Sequence, residues 1–165
     1  MTINIDKEVS LQFDFDEDAY VEKVILAALD YVGCPYEAEV NVLFTDNEGI
    51  HEMNQEYRDM DRPTDVLSFP MVEYEVPGDF EQIEETQPEC FHPETGELLL
   101  GDIVLSYDKI KEQAKEFGHS ELREMCFLIA HSVLHLSGFD HMEDEEREQM
   151  EKMQREILTQ LEIFR

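Results

Sequence analysis

The chain has 165 residues, 42% of them hydrophobic and 10% aromatic, which is typical of one globular domain and excludes a disordered chain. No run reaches about 18 apolar residues, so we expect no membrane span. The 41 Asp and Glu residues outnumber the 12 Lys and Arg residues, and the net charge is −29. Such a charge repels nucleic-acid backbones and argues against DNA as a partner. Any action on RNA must therefore depend on a local cationic patch, a metal or a partner protein.

The amino-terminal residues and the cysteines indicate a reducing compartment. The first residues, MTINIDKEVSLQF, contain neither a basic n-region nor an apolar h-region, so we predict no signal peptide and a cytoplasmic location. Cys34, Cys90 and Cys126 are far apart and odd in number. This pattern predicts free thiols, and neither a disulfide framework nor a cysteine zinc site.

The spacing of apolar residues predicts a series of strands and helices along the chain. In chain order we predict an edge strand at 3–13, a helix at 16–33, a strand at 38–46, a helix at 47–58, a short strand at 64–71, a buried strand at 98–106, and helices at 107–118, 120–138 and 143–164. Residues 72–97 are acidic, contain three prolines and lack a sustained period. We predict a solvated, mobile loop there, with room for a short helical turn.

These elements predict one α+β domain spanning residues 1–165, with about four strands and about five helices. The helix at 120–138 is apolar nearly all round and should lie in the core, with Ser120 as its N-cap and Gly138 just past its end. The last helix is amphipathic, and five of its residues are predicted to face inward: Met150, Met153, Ile157, Leu161 and Phe164.

A candidate metal site lies on this core helix and in the turn after it. The stretch HSVLHLSGFDH contains three of the six histidines. His131 and His135 are four residues apart, so they share one helical face with Cβ atoms about 5–6 Å apart. Gly138 can end the helix, because it adopts the left-handed conformation cheaply, and the turn can then return His141 as a third ligand. Three protein ligands leave one position of a zinc ion open, which is the catalytic arrangement.

Other interpretations of the three histidines remain open. One alternative is a set of buried residues satisfied by hydrogen bonds, and another is a metal that only stabilises the fold. The spacing H-x3-H-x2-G-x2-H is also that of the metzincin proteases, which carry a Glu general base directly after the first His. Here that residue is Ser132, whose hydroxyl cannot hold a proton near neutral pH. This argues against a zinc metallopeptidase, unless a carboxylate from elsewhere takes that role.

Three blocks of the sequence resemble one known family. HSVLHLSGFDH is similar to the signature H-G-x-L-H-L-x-G-Y-D-H of the bacterial YbeY family, zinc-dependent endoribonucleases of rRNA maturation. The segment NQEYRDMDRPTDVLSFP, residues 54–70, resembles the family's second block, and LGDIVLS, residues 100–106, resembles its third. Ser132 stands where the family has Gly and Phe139 where it has Tyr, and neither change removes a ligand.

The resemblance implies a mixed sheet surrounded by helices, one zinc ion and cleavage of single-stranded RNA. It further implies action on the 3′ end of 16S rRNA and in ribosome quality control, with the small ribosomal subunit and its proteins as partners. It carries the metal role to His131, His135 and His141, and a catalytic or RNA-contacting role to Arg58. A non-catalytic assembly factor, whose metal only braces the fold, is the remaining alternative.

Arg58 also has a physical argument in its favour. A guanidinium is always charged and can grip phosphate oxygens through two parallel hydrogen bonds. We hypothesise that zinc acts as a Lewis acid or activates a water, while Arg58 stabilises the extra negative charge of the transition state. Arg62 would be a second RNA contact. The alternative is a surface arginine paired with Asp59 or Asp61.

Several further residues are candidates with structural alternatives. Asp65 and Asp102 either orient an imidazole or anchor a nearby loop, and Asp140 is expected to fix the turn. A basic set either receives the RNA backbone or forms a solvated helix face: Lys109, Lys111, Lys115 and Arg123. The other three histidines lack a matching spacing and are not predicted to belong to the site: His51, His92 and His119.

Overall fold

The computed structural model describes residues 1–164. Its elements are, in chain order, β1 (Thr2–Lys7), α1 (Glu17–Tyr31), β2 (Ala38–Thr45), α2 (Asn47–Arg58), β3 (Val66–Pro70), α3 (Ile83–Thr86), a 3-10 turn (Pro88–Cys90), β4 (Leu98–Ser106), α4 (Tyr107–Phe117), α5 (Glu121–Leu136) and α6 (Asp144–Gln160). The predicted α+β fold with four strands is confirmed. The five predicted helices are all present, and α3 is a sixth.

The four strands form one mixed sheet in the order β1-β2-β4-β3. β1 and β2 are parallel, β2 and β4 are parallel, and β3 runs antiparallel to β4. β4 is a central strand, and only two of its nine residues, Leu99 and Asp102, escape burial. A central strand between two neighbours has little access to water, which explains the nearly continuous apolar run at 98–105.

Helix α5 is the centre of the hydrophobic core. It packs against α1, α4 and α6 and against strands β3 and β4. Met125, Ile129 and Val133 are fully buried, in agreement with the predicted core helix. The Ser120 hydroxyl accepts a hydrogen bond from the Arg123 backbone N–H at 3.1 Å and so caps the first turn. Gly138 follows the helix with a φ of 98°, a conformation that favours glycine.

The acidic segment 72–97 is anchored to the core at several points. Four of its apolar side chains are buried there: Val72, Phe80, Ile83 and Cys90. The segment contains α3 and the 3-10 turn, so the short helical turn is present. The mobility of the residues between these anchors stays a prediction.

The prediction for the end of the last helix was wrong at one residue. Met150, Met153 and Ile157 are buried, but Phe164 is 63% exposed. α6 ends at Gln160, and Glu162 adopts a positive φ of 58°. The helical period that would have turned Phe164 inward therefore stops before that residue is reached.

Two predicted properties of the whole chain can be compared with the structure. Cys34, Cys90 and Cys126 are free thiols, as predicted. Burial raises the pKa of the Cys126 thiol to about 12, so it remains protonated and unreactive at neutral pH. Within residues 1–164, no helix has the length and apolar character needed to cross a bilayer.

Gly101 is the tightest glycine of the sheet, and its replacement should be costly. Its φ is 148°, and a Cβ there would overlap the Phe69 carbonyl oxygen and lie 2.9 Å from Leu136 Cδ2. We expect Gly101→Ala to lower the free energy of unfolding in urea by about 2–4 kcal/mol. Gly96→Ala is the control, because Gly96 also has a positive φ but has no atom within 4 Å of the added Cβ. Equal losses in the two variants would contradict this account.

Candidate functional site

The three predicted ligands lie together at the end of α5 and in the bend after it. Each of His131, His135 and His141 offers one ring nitrogen, and these nitrogens lie within 4.8 Å of one another. The ring centroids are 4.5 Å apart for His131 and His135, 5.2 Å for His131 and His141, and 4.9 Å for His135 and His141. The three histidines can therefore hold one metal ion.

The His135 ring is oriented by the bend. Its Nδ1 lies 2.9 Å from the Phe139 carbonyl oxygen. A carbonyl oxygen only accepts, so Nδ1 carries the proton and donates it. In the neutral ring, Nε2 then has a free lone pair, which is the form that a metal ligand needs. The backbone after Gly138 thus sets the tautomer of His135.

The His131 ring is oriented by α6. Its Nδ1 lies 3.4 Å from Gln154 Oε1, and Gln154 Nε2 donates to the Phe127 carbonyl at 3.2 Å. The second bond fixes the amide and turns its oxygen toward His131. Both rings therefore carry their proton on Nδ1, and their Nε2 atoms face each other at 3.0 Å.

Two facing lone pairs repel each other unless a cation lies near both. Two nitrogens that share a tetrahedral zinc with bonds of about 2.0–2.1 Å are separated by roughly 3.3 Å, close to the observed spacing of the Nε2 atoms. Burial lowers the pKa of His131. Burial and then the neighbouring imidazoles of His131 and His141 lower the pKa of His135 to about 4. Both rings are therefore neutral near pH 7, as metal binding requires.

The acidic segment supports the bend that carries the third histidine. The Gly78 backbone N–H donates to the Ser137 carbonyl at 2.9 Å. A Cβ on Gly78 would lie 3.1 Å from the Phe139 ring, and one on Gly138 would lie 2.8 Å from the Tyr74 ring. These close approaches hold the bend, and with it the Phe139 carbonyl that orients His135. The sequence provided no reason to assign this role to the segment.

Arg58 and the three histidines line one open cavity of about 560 Å³, together with Ser68. Arg58 is the last residue of α2 and makes no ion pair within residues 1–164. Asp61 pairs instead with His51, at 2.7 Å between Nε2 and Oδ1. Pairing with Asp59 or Asp61, the alternative considered for Arg58, is therefore absent, and its guanidinium is available to an anion.

Ser132 lies where the metzincins carry their general base. It is fully buried, and its hydroxyl is hydrogen-bonded to the Ser68 hydroxyl on β3. This position therefore supplies a hydroxyl locked into the interface between α5 and β3. The residue directly after His131 is therefore a serine and not a carboxylate, which weighs against peptidase chemistry.

The three candidate aspartates occupy different places. Asp65 lies beside the histidines, accepts from the Val66 backbone N–H at 2.8 Å and contacts Gln113 Nε2 at 3.3 Å. Asp140 accepts from the His141 backbone N–H at 2.8 Å, a bond that fixes the turn. Asp102 accepts from Asn41 Nδ2 at 2.9 Å and lines neither cavity at the histidines. A structural role is therefore the better interpretation for Asp102.

The other predicted RNA contacts do not reach the histidines. Lys109 pairs with Glu112 at 3.3 Å, and Lys111 pairs with Glu121 at 3.6 Å. Two cavities adjoin the three histidines, and neither is lined by Arg62 or by the three lysines Lys109, Lys111 and Lys115. These pairs match the alternative of a solvated helix face, so Arg58 is the cation from the predicted set that lies at the site.

Gln154 is the residue of the site that the sequence interpretation missed. It lies on the inward face of α6, between the buried Met153 and Ile157, and is only 2% exposed. A glutamine within an apolar stripe needs a hydrogen-bond partner, and this was the available signal. Nothing in the local sequence indicated that the partner would be a histidine 23 residues away.

A mixed α+β fold that presents three imidazoles and an unpaired arginine in an open cleft has the architecture of a metal-dependent hydrolase acting on an anionic substrate. Residues 3–162 match the family model described as Endoribonuclease YbeY. The chain belongs to this family.

Full-length relatives agree with this assignment. The Endoribonuclease YbeY of Lachnoclostridium phytofermentans is 62% identical over 165 residues, which is 100% of both chains. That of Agathobacter rectalis is 56% identical, again over 100% of both chains. The solution structure of TM1509 from Thermotoga maritima is similar with a TM-score of 0.57 and 25% identity, over 98% of this chain and 92% of that one.

Removal of the Gln154 carbonyl should weaken metal binding without removing a ligand. In Gln154→Leu, the His131 ring loses the acceptor that sets its tautomer, and we expect the dissociation constant for zinc to rise about 10–100-fold. Competition with a chromophoric chelator measures this constant. Gln160→Leu, at the exposed end of the same helix, is the matched control. Unchanged affinity in a folded Gln154→Leu protein would disprove the orienting role.

Proposed function

We propose that this chain is a metal-dependent endoribonuclease that cuts single-stranded RNA and acts in 3′-end maturation of 16S rRNA and in ribosome quality control in the cytoplasm. Membership of the YbeY family and full-length relatives named Endoribonuclease YbeY support the reaction class. The observation that carries the proposal is the arrangement of Arg58 and the three histidines around one cavity.

We assign one zinc ion to His131, His135 and His141. Three imidazoles match the donor set of catalytic zinc sites, although other divalent transition metals also accept this set. When bound, zinc supplies Lewis acidity toward a phosphodiester oxygen. The protein contributes rigid, correctly protonated rings, because Gln154 and the Phe139 carbonyl accept from their Nδ1 atoms.

We assign Arg58 the role of stabilising the negative charge that develops on the scissile phosphate in the transition state. Its guanidinium can donate two parallel hydrogen bonds to the non-bridging oxygens of the scissile phosphate. These bonds strengthen as charge accumulates in the transition state, so they favour the reaction more than they favour binding. The open cavity leaves room for a backbone that passes between Arg58 and the histidines, as an unpaired strand can.

The partners proposed are the small ribosomal subunit and its basic proteins. A charge of −29 disfavours broad contact with RNA but complements cationic protein surfaces. A protein contact can therefore bring the site to its RNA, while Arg58 makes the local phosphate contact. A non-catalytic assembly factor remains the second candidate, and the cleavage assay below separates it from a nuclease.

Metal content tests the ligand assignment directly. We expect the purified protein to contain one zinc ion per chain by inductively coupled plasma mass spectrometry, and His135→Ala to lose it, because two imidazoles bind far more weakly than three. His51→Ala is the matched control, since His51 lies outside the site and pairs with Asp61. Retention of zinc by a folded His135→Ala protein would reject the three-histidine site.

Cleavage of a defined single-stranded RNA carrying the 16S 3′ end tests the activity. We expect Arg58→Ala to reduce the rate constant by about 10²–10³-fold, the usual loss for one transition-state donor. Arg155→Ala, an exposed arginine on α6, should cleave like wild type. His131→Ala, purified in parallel, measures contaminating nuclease. If Arg58→Ala and His131→Ala both retain wild-type rates, the protein is not the nuclease and the assembly-factor alternative stands.

A further inference from the structure

A second cavity, of about 400 Å³, lies on the other side of the three histidines, among α4, α5 and α6. His131 and His141 line both this cavity and the one that contains Arg58, and Asp65 is also common to both. The metal ligands thus stand at the junction of two cavities. A nucleotide whose phosphate lies against Arg58 has this second cavity within reach of its base.

The walls of the second cavity suit a flat, apolar ring. Phe127, Leu128 and Met150 line it, and Phe117 stands at its edge. Leu128 is 5% exposed and Met150 is 2% exposed, so these walls belong to the rigid core. Aromatic and apolar side chains are the surfaces on which unpaired bases stack, whereas phosphates avoid them.

One side of the cavity carries a buried polar cluster that the proposed reaction does not use. The Glu124 side chain is only 3% exposed. Its carboxylate accepts from Gln113 Nε2 at 2.7 Å and from His119 Nε2 at 2.6 Å. A carboxylate can accept about four hydrogen bonds, so Glu124 retains spare capacity. Burial of a carboxylate is costly, and Glu124 as a whole residue is only 2% exposed on this core helix.

The carboxylates of this cluster can still accept further hydrogen bonds. His119 Nε2 contacts a carboxylate oxygen of Glu124, and its Nδ1 is buried without a hydrogen-bond partner among residues 1–164. Asp65 Oδ2 meets only the long 3.3 Å contact from Gln113. Three carboxylates line the cavity, those of Asp65, Glu124 and Glu151, together with the Arg147 guanidinium. A ligand that meets Glu124 and Asp65 must therefore bring N–H donors.

On the basis of the proposed function, we propose that this cavity binds one unstacked nucleobase next to the scissile phosphate and prefers bases with an exocyclic amine to uracil. Adenine, cytosine and guanine present amine donors to the carboxylates of Glu124 and Asp65. Uracil presents one N–H between two carbonyl oxygens, and these oxygens would face the carboxylates and be repelled. The same carboxylates repel a phosphate, and Arg147, which also lines this cavity, is paired with Asp144 at 3.4 Å. The phosphate is therefore directed to the Arg58 side.

Nucleoside binding to the zinc-loaded protein tests this pocket without any cleavage. Cytidine and uridine form a matched pair, because they differ in one amine for one carbonyl and contain no phosphodiester. With 13C-methyl-labelled methionine, we expect cytidine to shift the Met150 signal and to bind at least about tenfold more tightly than uridine. Met53, which lies at the cavity on the opposite face of the sheet, is the internal control and should not shift.

Variants assign the preference to the polar cluster. Glu124→Gln keeps the shape of the side chain, and we expect it to bind cytidine and uridine alike. Glu116→Gln, an exposed residue of α4, should retain the preference. Phe127→Leu should weaken the binding of both nucleosides, and it tests the pocket independently should Glu124→Gln fail to fold. Equal binding of the two nucleosides by wild type, or no shift of Met150, would overturn the proposal.

Cleavage of uridine tracts that contain a single cytidine then links the pocket to the reaction. We expect wild type to cut at the bond beside the cytidine, and Glu124→Gln to cut along the whole tract. Uniform cutting by wild type would overturn the link between pocket and cleavage. A protein that binds cytidine at Met150 but cuts no RNA would refute the nuclease and leave the base pocket standing, so the two failures are distinguishable.

Discussion

Two imidazoles that face each other through unprotonated nitrogens are the interaction on which the site depends. Each ring donates a hydrogen bond from Nδ1 to a carbonyl oxygen: His131 to the Gln154 side chain, and His135 to the Phe139 backbone. With both rings neutral and protonated at Nδ1, the two Nε2 atoms, 3.0 Å apart, each present a lone pair. Such a pair is unfavourable alone and favourable around a cation. The two Nδ1 hydrogen bonds, although they do not touch the ion, therefore favour metal binding by setting the tautomers of both rings.

The rigidity of this pair follows from the position of α5. The helix packs on three other helices and two strands, so its side chains have little freedom to rearrange. The same burial lowers the pKa of His135 and keeps that ring ready for metal at neutral pH. The packing that stabilises the domain therefore also fixes the geometry of the histidine ligands. The acidic segment extends this arrangement, because Gly78 and Tyr74 hold the bend after α5.

The sequence predicted the parts of the molecule whose information is local. The spacing of His131, His135 and His141 around Gly138 lies within eleven residues, and a helix followed by a turn places those rings by geometry alone. Apolar period likewise predicted the strands and helices. It failed at 8–13, because the first strand, predicted at 3–13, ends at Lys7. It also failed at Phe164, because α6 ends at Gln160 and Glu162 has a positive φ. Gln154 escaped prediction because it meets His131 only through the packing of α6 on α5.

Long-range contacts also decide which charges remain available to a ligand. In a chain of charge −29, several cations pair with an acidic neighbour, as Lys109 and Lys111 do. Arg58 has no ion pair within residues 1–164, and one of its candidate partners, Asp61, pairs with His51 instead. An unpaired guanidinium therefore lines the same cavity as the three imidazoles. The surrounding negative charge repels polyanions such as RNA over the rest of the surface, so a favourable contact must come from a local cation of this kind.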